Sequence, residues 1–144
     1  MATFISNSPL ETETLGAEWG RALSAGWVIA LSGDLGAGKT RLVKGLGQGL
    51  SIPGPVHSPT FALINIYEGG RLPLFHLDLY RLDTPQQITA AGLEEYLQPS
   101  GITVIEWAER WFDEKAGFEG LLRRVNIEVL GENQRRIHYE DSGA

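Results

Sequence analysis

Apolar residues recur along this chain at two different spacings, and the alternation between them predicts its elements. The segments "WVIALSG" (27–33), "FALINIY" (61–67), "LPLFHLDLY" (72–80) and "ITVIEW" (102–107) are short and rich in branched and aromatic residues. Three of them are nearly continuous in hydrophobicity, as strands buried on both faces are. Between them, "KTRLVKGLGQGL" (39–50) and "TPQQITAAGLEEYL" (84–97) read as helices. Another helix is announced in "SNSPLETETLGAEWGRALSAG": Ser8 can cap it, Pro9 suits its first position, Glu11 completes a capping box and Gly26 is a stop. Leu15, Trp19, Ala22 and Leu23 then share a face, which predicts docking on the domain with Trp19 in the core. Gly45, Gly47 and Gly49 each cost about 1 kcal/mol relative to alanine in a helix interior, so close packing or fraying is expected there.

Past residue 120 the period becomes two. "RRVNIEVLGENQRRIHYED" (123–141) alternates on either side of Gly131, Glu132 and Asn133, predicting an antiparallel C-terminal hairpin at a sheet edge, its arginines forming a solvated face. "WFDEKAGFEGLL" (111–122) reads as a short helix and a loop containing Gly117 and Gly120. There is no repeat, linker or low-complexity tract. The expectation is one α/β domain, residues 1–144, with a mainly parallel central sheet flanked by helices.

Composition narrows the function. With 18 acidic against 12 basic side chains, the net charge of −6 argues against a broad basic face that grips nucleic acid. The absence of cysteine excludes disulfides, thiolate metal sites and a cysteine nucleophile, and fits a reducing compartment. The N-terminal "MATFISNSPLETET" lacks the basic flank and apolar core of a signal peptide, and no apolar run approaches the roughly 18 residues of a membrane span. A cytoplasmic location is expected.

The strongest chemical signal is "GDLGAGKT", Gly33, Asp34, Leu35, Gly36, Ala37, Gly38, Lys39 and Thr40, which satisfies G-x-x-x-x-G-K-[ST]. Average residue frequencies produce such a match by accident in roughly 0.5% of chains this long. A strand pattern precedes it and a helix pattern follows, the order a phosphate-binding P-loop requires. Glycines let successive N–H groups converge on phosphate oxygens, and the helix N-terminus adds a favourable dipole. Lys39 would reach the terminal phosphates and the Thr40 hydroxyl would ligate Mg²⁺.

Such a site needs a carboxylate near the metal. Strand alternation in "LPLFHLDLYRL" puts His76, Asp78 and Tyr80 on one face, and an aspartate in apolar surroundings needs a cation or donors beside it. Asp78 is therefore either metal-associated or a structural hydrogen-bonding group, and His76 either a satisfied core histidine or part of the site. In "HSPTF" (57–61), Thr60 would hydrogen-bond a metal-bound water or the γ-phosphate; alternatively Ser58, Pro59 and Thr60 merely form a turn. Glu106, at the end of "ITVIEW", would orient the attacking water or end a strand in the ordinary way; Trp107 beside it would otherwise be packing.

Taken in order, "GDLGAGKT", "HSPTF", "HLDLYRL", "AGLEEYL" and "VIEWAER" resemble the bacterial TsaE (formerly YjeE) family, from Ser8 to about Arg110. The resemblance implies a P-loop domain that binds ATP with Mg²⁺ and hydrolyses it weakly alone. It further implies an assembly with TsaD and TsaB that forms threonylcarbamoyladenosine in tRNA, the tRNA being met indirectly through the complex. Carried over by position, Lys39 and Thr40 are phosphate and metal residues, and Thr60, Asp78 and Glu106 belong to the metal site. Glu106 is the catalytic carboxylate, with Lys39 and Trp107 beside it in catalysis. Ser8 and Thr12, with Glu11, match a pattern associated with the base end of the nucleotide. Arg41, next to the loop, stands where the family often has threonine and is expected to alter helix packing more than chemistry.

The rival enzyme is a small-molecule P-loop kinase, although no arginine-rich lid is evident. A GTPase lacks its guanine-reading motif, since the lysines at 39, 44 and 115 begin none. A nucleotide-dependent assembly module with incidental hydrolysis is the reading from another class.

Overall fold

In the computed structural model, which describes residues 2–33, 38–54, 64–80, 82, 84–111 and 120–143, the apolar runs become strands of one sheet. The strands are β1 (Ala2–Ser6), β2 (Trp27–Gly33), β3 (Ile64–Tyr67), β4 (Leu74–Asp78), β5 (Ile102–Glu106), β6 (Leu121–Val129) and β7 (Arg135–Ser142). Their order is β1-β7-β6-β2-β5-β4-β3, with β6, β2, β5 and β4 mutually parallel and the remaining pairings antiparallel. The helices are α1 (Pro9–Ala22), α2 (Lys39–Gly49) and the short α3 (Pro85–Ala90), with 3₁₀ turns at Leu93–Leu97 and Ala108–Arg110. The expected α/β architecture with a parallel centre is what forms.

Each sheet face buries its own cluster. Ile29, Leu31, Leu74, Ile102, Val104, Val125 and Ile127 meet α1 and α2, while Val28, Ala30, Leu77, Ile105 and Leu122 meet Ile88, Leu93 and Ala108. Because the central strands are covered on both sides, they read as unbroken apolar runs.

Helices α1 and α2 lie side by side and start at the same end of the sheet. Glu13 faces Arg41 and Gly45, Gly16 faces Leu42, and Gly20 faces Leu46 and Gly49, so residue numbers rise together along both. A Cβ on Gly45 or Gly49 would collide with the carbonyls of Glu13 and Ala17. Close packing, rather than fraying, explains these two glycines. At the far end Arg71 donates to the Gly20 and Leu23 carbonyls, both at 2.6 Å, satisfying acceptors that α1 leaves open.

Several expectations change. Helix α1 ends at Ala22, its Leu23 cap bonding back to Trp19, so the chain leaves the helix before Gly26, which instead turns into β2 with φ 104°. Ser8 caps the helix as expected, but Glu11 reaches the Asn7 amide at 3.3 Å rather than that of Ser8, so the capping box is shifted by one residue. The segment 84–97 divides at Gly92, where φ of 76° breaks the helical path. The C-terminal hairpin forms but is not at the edge. Strand β6 pairs with β2 on one side, and β1, which the sequence pattern did not indicate, covers β7 on the other. Arg123 is not solvated: it pairs with Asp141 and lies over the rings of Trp19, Trp27 and Tyr139. Trp19 is in the core as expected. The helix-and-loop expectation for 111–122 falls mostly outside the described residues.

Candidate functional site

Parallel strands β2, β5 and β4 end together. Leu31 is in register with Glu106, and Glu106 with Asp78, so the carboxyl ends of three strands put Gly33, Glu106 and Asp78 side by side. In open α/β sheets this is the edge where ligands bind. Alternation sends Asp78 and Glu106 to the face covered by α2, whose first residues are Lys39 and Thr40.

Both ends of the P-loop need glycine. Gly33 has φ 142°, and a Cβ there would sit 2.5 Å from the Ile127 carbonyl oxygen; Gly38 has φ 99°, and a Cβ there would meet no atom of the described residues within 4 Å. The first is required by conformation and contact together, the second by conformation alone. Asp34, Leu35, Gly36 and Ala37 lie outside the described residues, as does Thr60. Where α1 and α3 are capped by the hydroxyls of Ser8 and Thr84, α2 starts on Gly38, which offers no side-chain oxygen to its first-turn N–H groups. That turn carries Lys39, Thr40 and Arg41 and no acid, an electrostatic setting for an anion.

Lys39 is buried, and its ammonium donates to the Gly33 carbonyl at 2.9 Å, joining the two ends of the loop. It also sits over the Trp107 ring, 3.7 Å from the centroid. Trp107 holds a left-handed backbone, φ 60° and ψ 39°, between β5 and the following 3₁₀ turn. For a bulky residue this conformation is rare and costs about 1–3 kcal/mol, which makes the position a marked one. The exposed Tyr80 ring packs against Trp107 at 5.2 Å, and the Arg110 guanidinium lies near both rings while donating to the Leu82 carbonyl. Tyr80 and Arg110 were not assigned to the site from sequence; Arg110 falls three residues after Trp107, a helical neighbour's spacing.

Asp78 accepts a hydrogen bond from the Tyr80 amide at 3.0 Å. Burial raises its pKa above the ordinary aspartate value, a push opposed by that hydrogen bond and added to by the negative Glu106. His76, two residues earlier and fully buried, places Nε2 2.5 Å from Glu106 Oε2. His76 thus has a specific partner rather than generic core packing. Thr40, Asp78 and Glu106 together offer hard oxygen donors of the kind Mg²⁺ takes. No cluster of three or more His, Cys, Asp or Glu forms a metal cage among the described residues. A cation held by one or two carboxylates and by substrate phosphates needs none.

The other expected residues have local roles. Ser8 is the α1 cap, and buried Thr12 hydrogen-bonds Ser6 at 2.7 Å. Since α1 and α2 start together, both lie at the P-loop end of the sheet. Arg41 pairs with Glu13 at 2.9 Å, tying α2 to α1 as a packing residue would.

The sequence pattern of the family described as threonylcarbamoyl adenosine biosynthesis protein TsaE matches residues 6–137. Among curated relatives, the tRNA threonylcarbamoyladenosine biosynthesis protein TsaE of Nostoc sp. (strain PCC 7120) is 57% identical over 103 residues, 69% of this chain and 63% of that protein. The protein of that name from Synechocystis sp. (strain PCC 6803) is 50% identical, with 65% of its length matched, so this chain spans under two thirds of either relative. The Treponema pallidum TsaE is 39% identical across 92% of this chain and 96% of its own. A crystal structure of Bacillus subtilis YdiB superposes with a TM-score of 0.73 at 30% identity, covering 96% of this chain and 83% of that one. With the family's pattern running through nearly all of the strands and helices that build the site, the chain belongs to the TsaE family.

Proposed function

We propose that this chain is a single-domain, cytoplasmic, Mg²⁺-dependent ATPase subunit required for threonylcarbamoyladenosine modification of tRNA, acting with TsaD and TsaB. The observation that carries the reading is the meeting of Lys39, Asp78 and Glu106 at the carboxyl ends of adjacent parallel strands, beside a helix N-terminus whose cap, Gly38, supplies no side-chain bond. The family membership supplies the biological setting.

In this reading the loop 33–40 and the first turn of α2 hold the phosphates, and Lys39 leaves the Gly33 carbonyl and the Trp107 ring to meet the terminal phosphate oxygens. Ser8 and Thr12 lie toward the base, and Arg41 stays on the flank of the loop. Mg²⁺, bound through Thr40 and the carboxylates of Asp78 and Glu106 with Thr60 completing the set through water, would neutralise charge on the γ-phosphate. Glu106 orients a water whose oxygen bonds to the γ-phosphorus as the bond to the bridging oxygen breaks. ADP leaves, and the water's proton is accepted on the carboxylate side. Trp107 fixes the ammonium of Lys39 before nucleotide arrives.

The test is phosphate release with and without TsaD, TsaB and tRNA. Strong stimulation by the partners is expected, with Glu106→Gln binding ATP but losing most turnover. Equal turnover by Glu106→Gln and wild type in the full assembly would overturn the assignment, and phosphate transfer to a small metabolite would establish a kinase instead.

A further inference from the structure

Glu106 alone would be a poorly fixed base, because a glutamate side chain has three rotatable bonds. One group that holds it lies on the neighbouring strand. His76 pairs in register with Val104 on β5, which makes Glu106 its diagonal neighbour on the same face. The contact between Nε2 and Oε2 is short, at 2.5 Å, and for Glu106 acting as a water-orienting carboxylate, whose oxygens only accept, Nε2 is the donor.

The other nitrogen is informative. Nδ1 is fully buried and has no hydrogen-bond partner among the described residues. An unpartnered polar atom in a core carries a desolvation cost that an apolar side chain of similar volume would avoid. Packing therefore does not account for a histidine here, whereas the bond to Glu106 does. From these contacts we infer that His76 is a positioning residue for hydrolysis. It clamps one oxygen of Glu106 so that the carboxylate meets the attacking water in a fixed orientation, and it leaves nucleotide affinity to the P-loop. The inference rests on Glu106 being the water-orienting residue.

Two amides separate the nitrogens. Glutamine places a donor near the position of His76 Nε2, within reach of Glu106, whereas asparagine places one near Nδ1, where no described residue accepts it. In single-turnover phosphate release with the TsaD–TsaB assembly, His76→Asn should lose about 10- to 100-fold in rate with the ATP KM unchanged, and His76→Gln should recover most of it. In a Glu106→Gln background, His76→Asn should add almost nothing, because the clamped group is gone. Thermal unfolding checks the fold of each variant, and His76→Leu, which fills the volume without a donor, replaces Asn should Asn not fold. Full turnover by His76→Asn alongside an inactive Glu106→Gln would overturn the inference and leave the role of Glu106 standing. Equal losses by folded Gln and Asn variants would also overturn it. An active Glu106→Gln would instead remove the reading on which it depends.

Discussion

At the residue scale, Trp107 is the position whose meaning geometry changes most. From its sequence neighbours it is an indole after a strand; in the fold its ring takes the ammonium of the P-loop lysine, a cation–π contact worth about 0.5–2 kcal/mol. Phosphate oxygens would compete for that ammonium, so Mg-ATP should alter tryptophan emission in the wild type but not in Trp107→Phe. An undiminished change in Trp107→Phe, with Trp19, Trp27 and Trp111 left to report, would count against the competition. The left-handed backbone makes a second prediction: Trp107→Gly should be about 1 kcal/mol more stable than Trp107→Ala, which corresponds to roughly 2–4 °C in unfolding temperature. Equal unfolding temperatures would mean that the backbone relaxes when the ring is removed. Asp78 supplies a pH dependence. Its pKa is raised in the folded state, chiefly by burial, so as pH rises the unfolded chain gives up this proton first and stability is lost from the ordinary aspartate value up to the raised one. Asp78→Asn keeps an oxygen for the Tyr80 amide and removes that loss. In metal-free, nucleotide-free protein it should unfold at a higher temperature than wild type at pH 7, with the difference shrinking below pH of about 4. A wild type more stable than the variant at pH 7 would reverse the sign.

At the element scale, the parallel strands were legible because burial on both faces leaves long apolar runs, and a candidate phosphate loop could be named because its spacing is local. What escaped was non-local. The five residues of β1 become a strand only because β7, from the other end of the chain, presents an edge to them, with Phe4 turned inward and Ile5 outward. The hairpin itself follows from local alternation and turn residues, but its place inside the sheet depends on which strand lies beside β6. The same holds for the candidate site: Asp78 and Glu106 can be singled out as candidates from the chain alone, whereas the His76–Glu106 bond requires the β4–β5 register. The glycines of α2 show the reverse case, where a local cost signalled a tertiary contact. By helix propensity alone Gly45→Ala or Gly49→Ala would gain about 1 kcal/mol, but each new Cβ meets a carbonyl of α1. Overpacking of this kind costs about 1–3 kcal/mol, so each variant should unfold at lower temperature and denaturant concentration than wild type. A stabilised Gly49→Ala would show that the helices move apart at little cost.

At the scale of the whole molecule, the disposition of charge bears on how a tRNA would be met under the proposed function. The net charge is −6, and many of the arginines are committed within the fold. Arg41 pairs with Glu13, Arg123 with Asp141 and Arg136 with Glu128, while Arg71 and Arg110 donate to backbone carbonyls. A phosphate backbone approaching this surface would have to displace those internal partners and overcome the repulsion of the acidic excess. Affinity for nucleic acid comes mainly from releasing counterions at many phosphates, so a chain with its cations so engaged should gain little. The prediction is that the isolated protein gives no change in the anisotropy of labelled tRNA at about 0.1 M salt, a condition under which nonspecific binding by basic proteins is ordinarily measurable. In the presence of TsaD and TsaB, tRNA should bind, and charge reversal of Arg124 or Arg135 on this chain should leave the affinity unchanged. Binding by the isolated chain that weakens steeply with salt would show that it presents a phosphate-contacting surface of its own, and the proposed hydrolysis would then have to act on the tRNA directly.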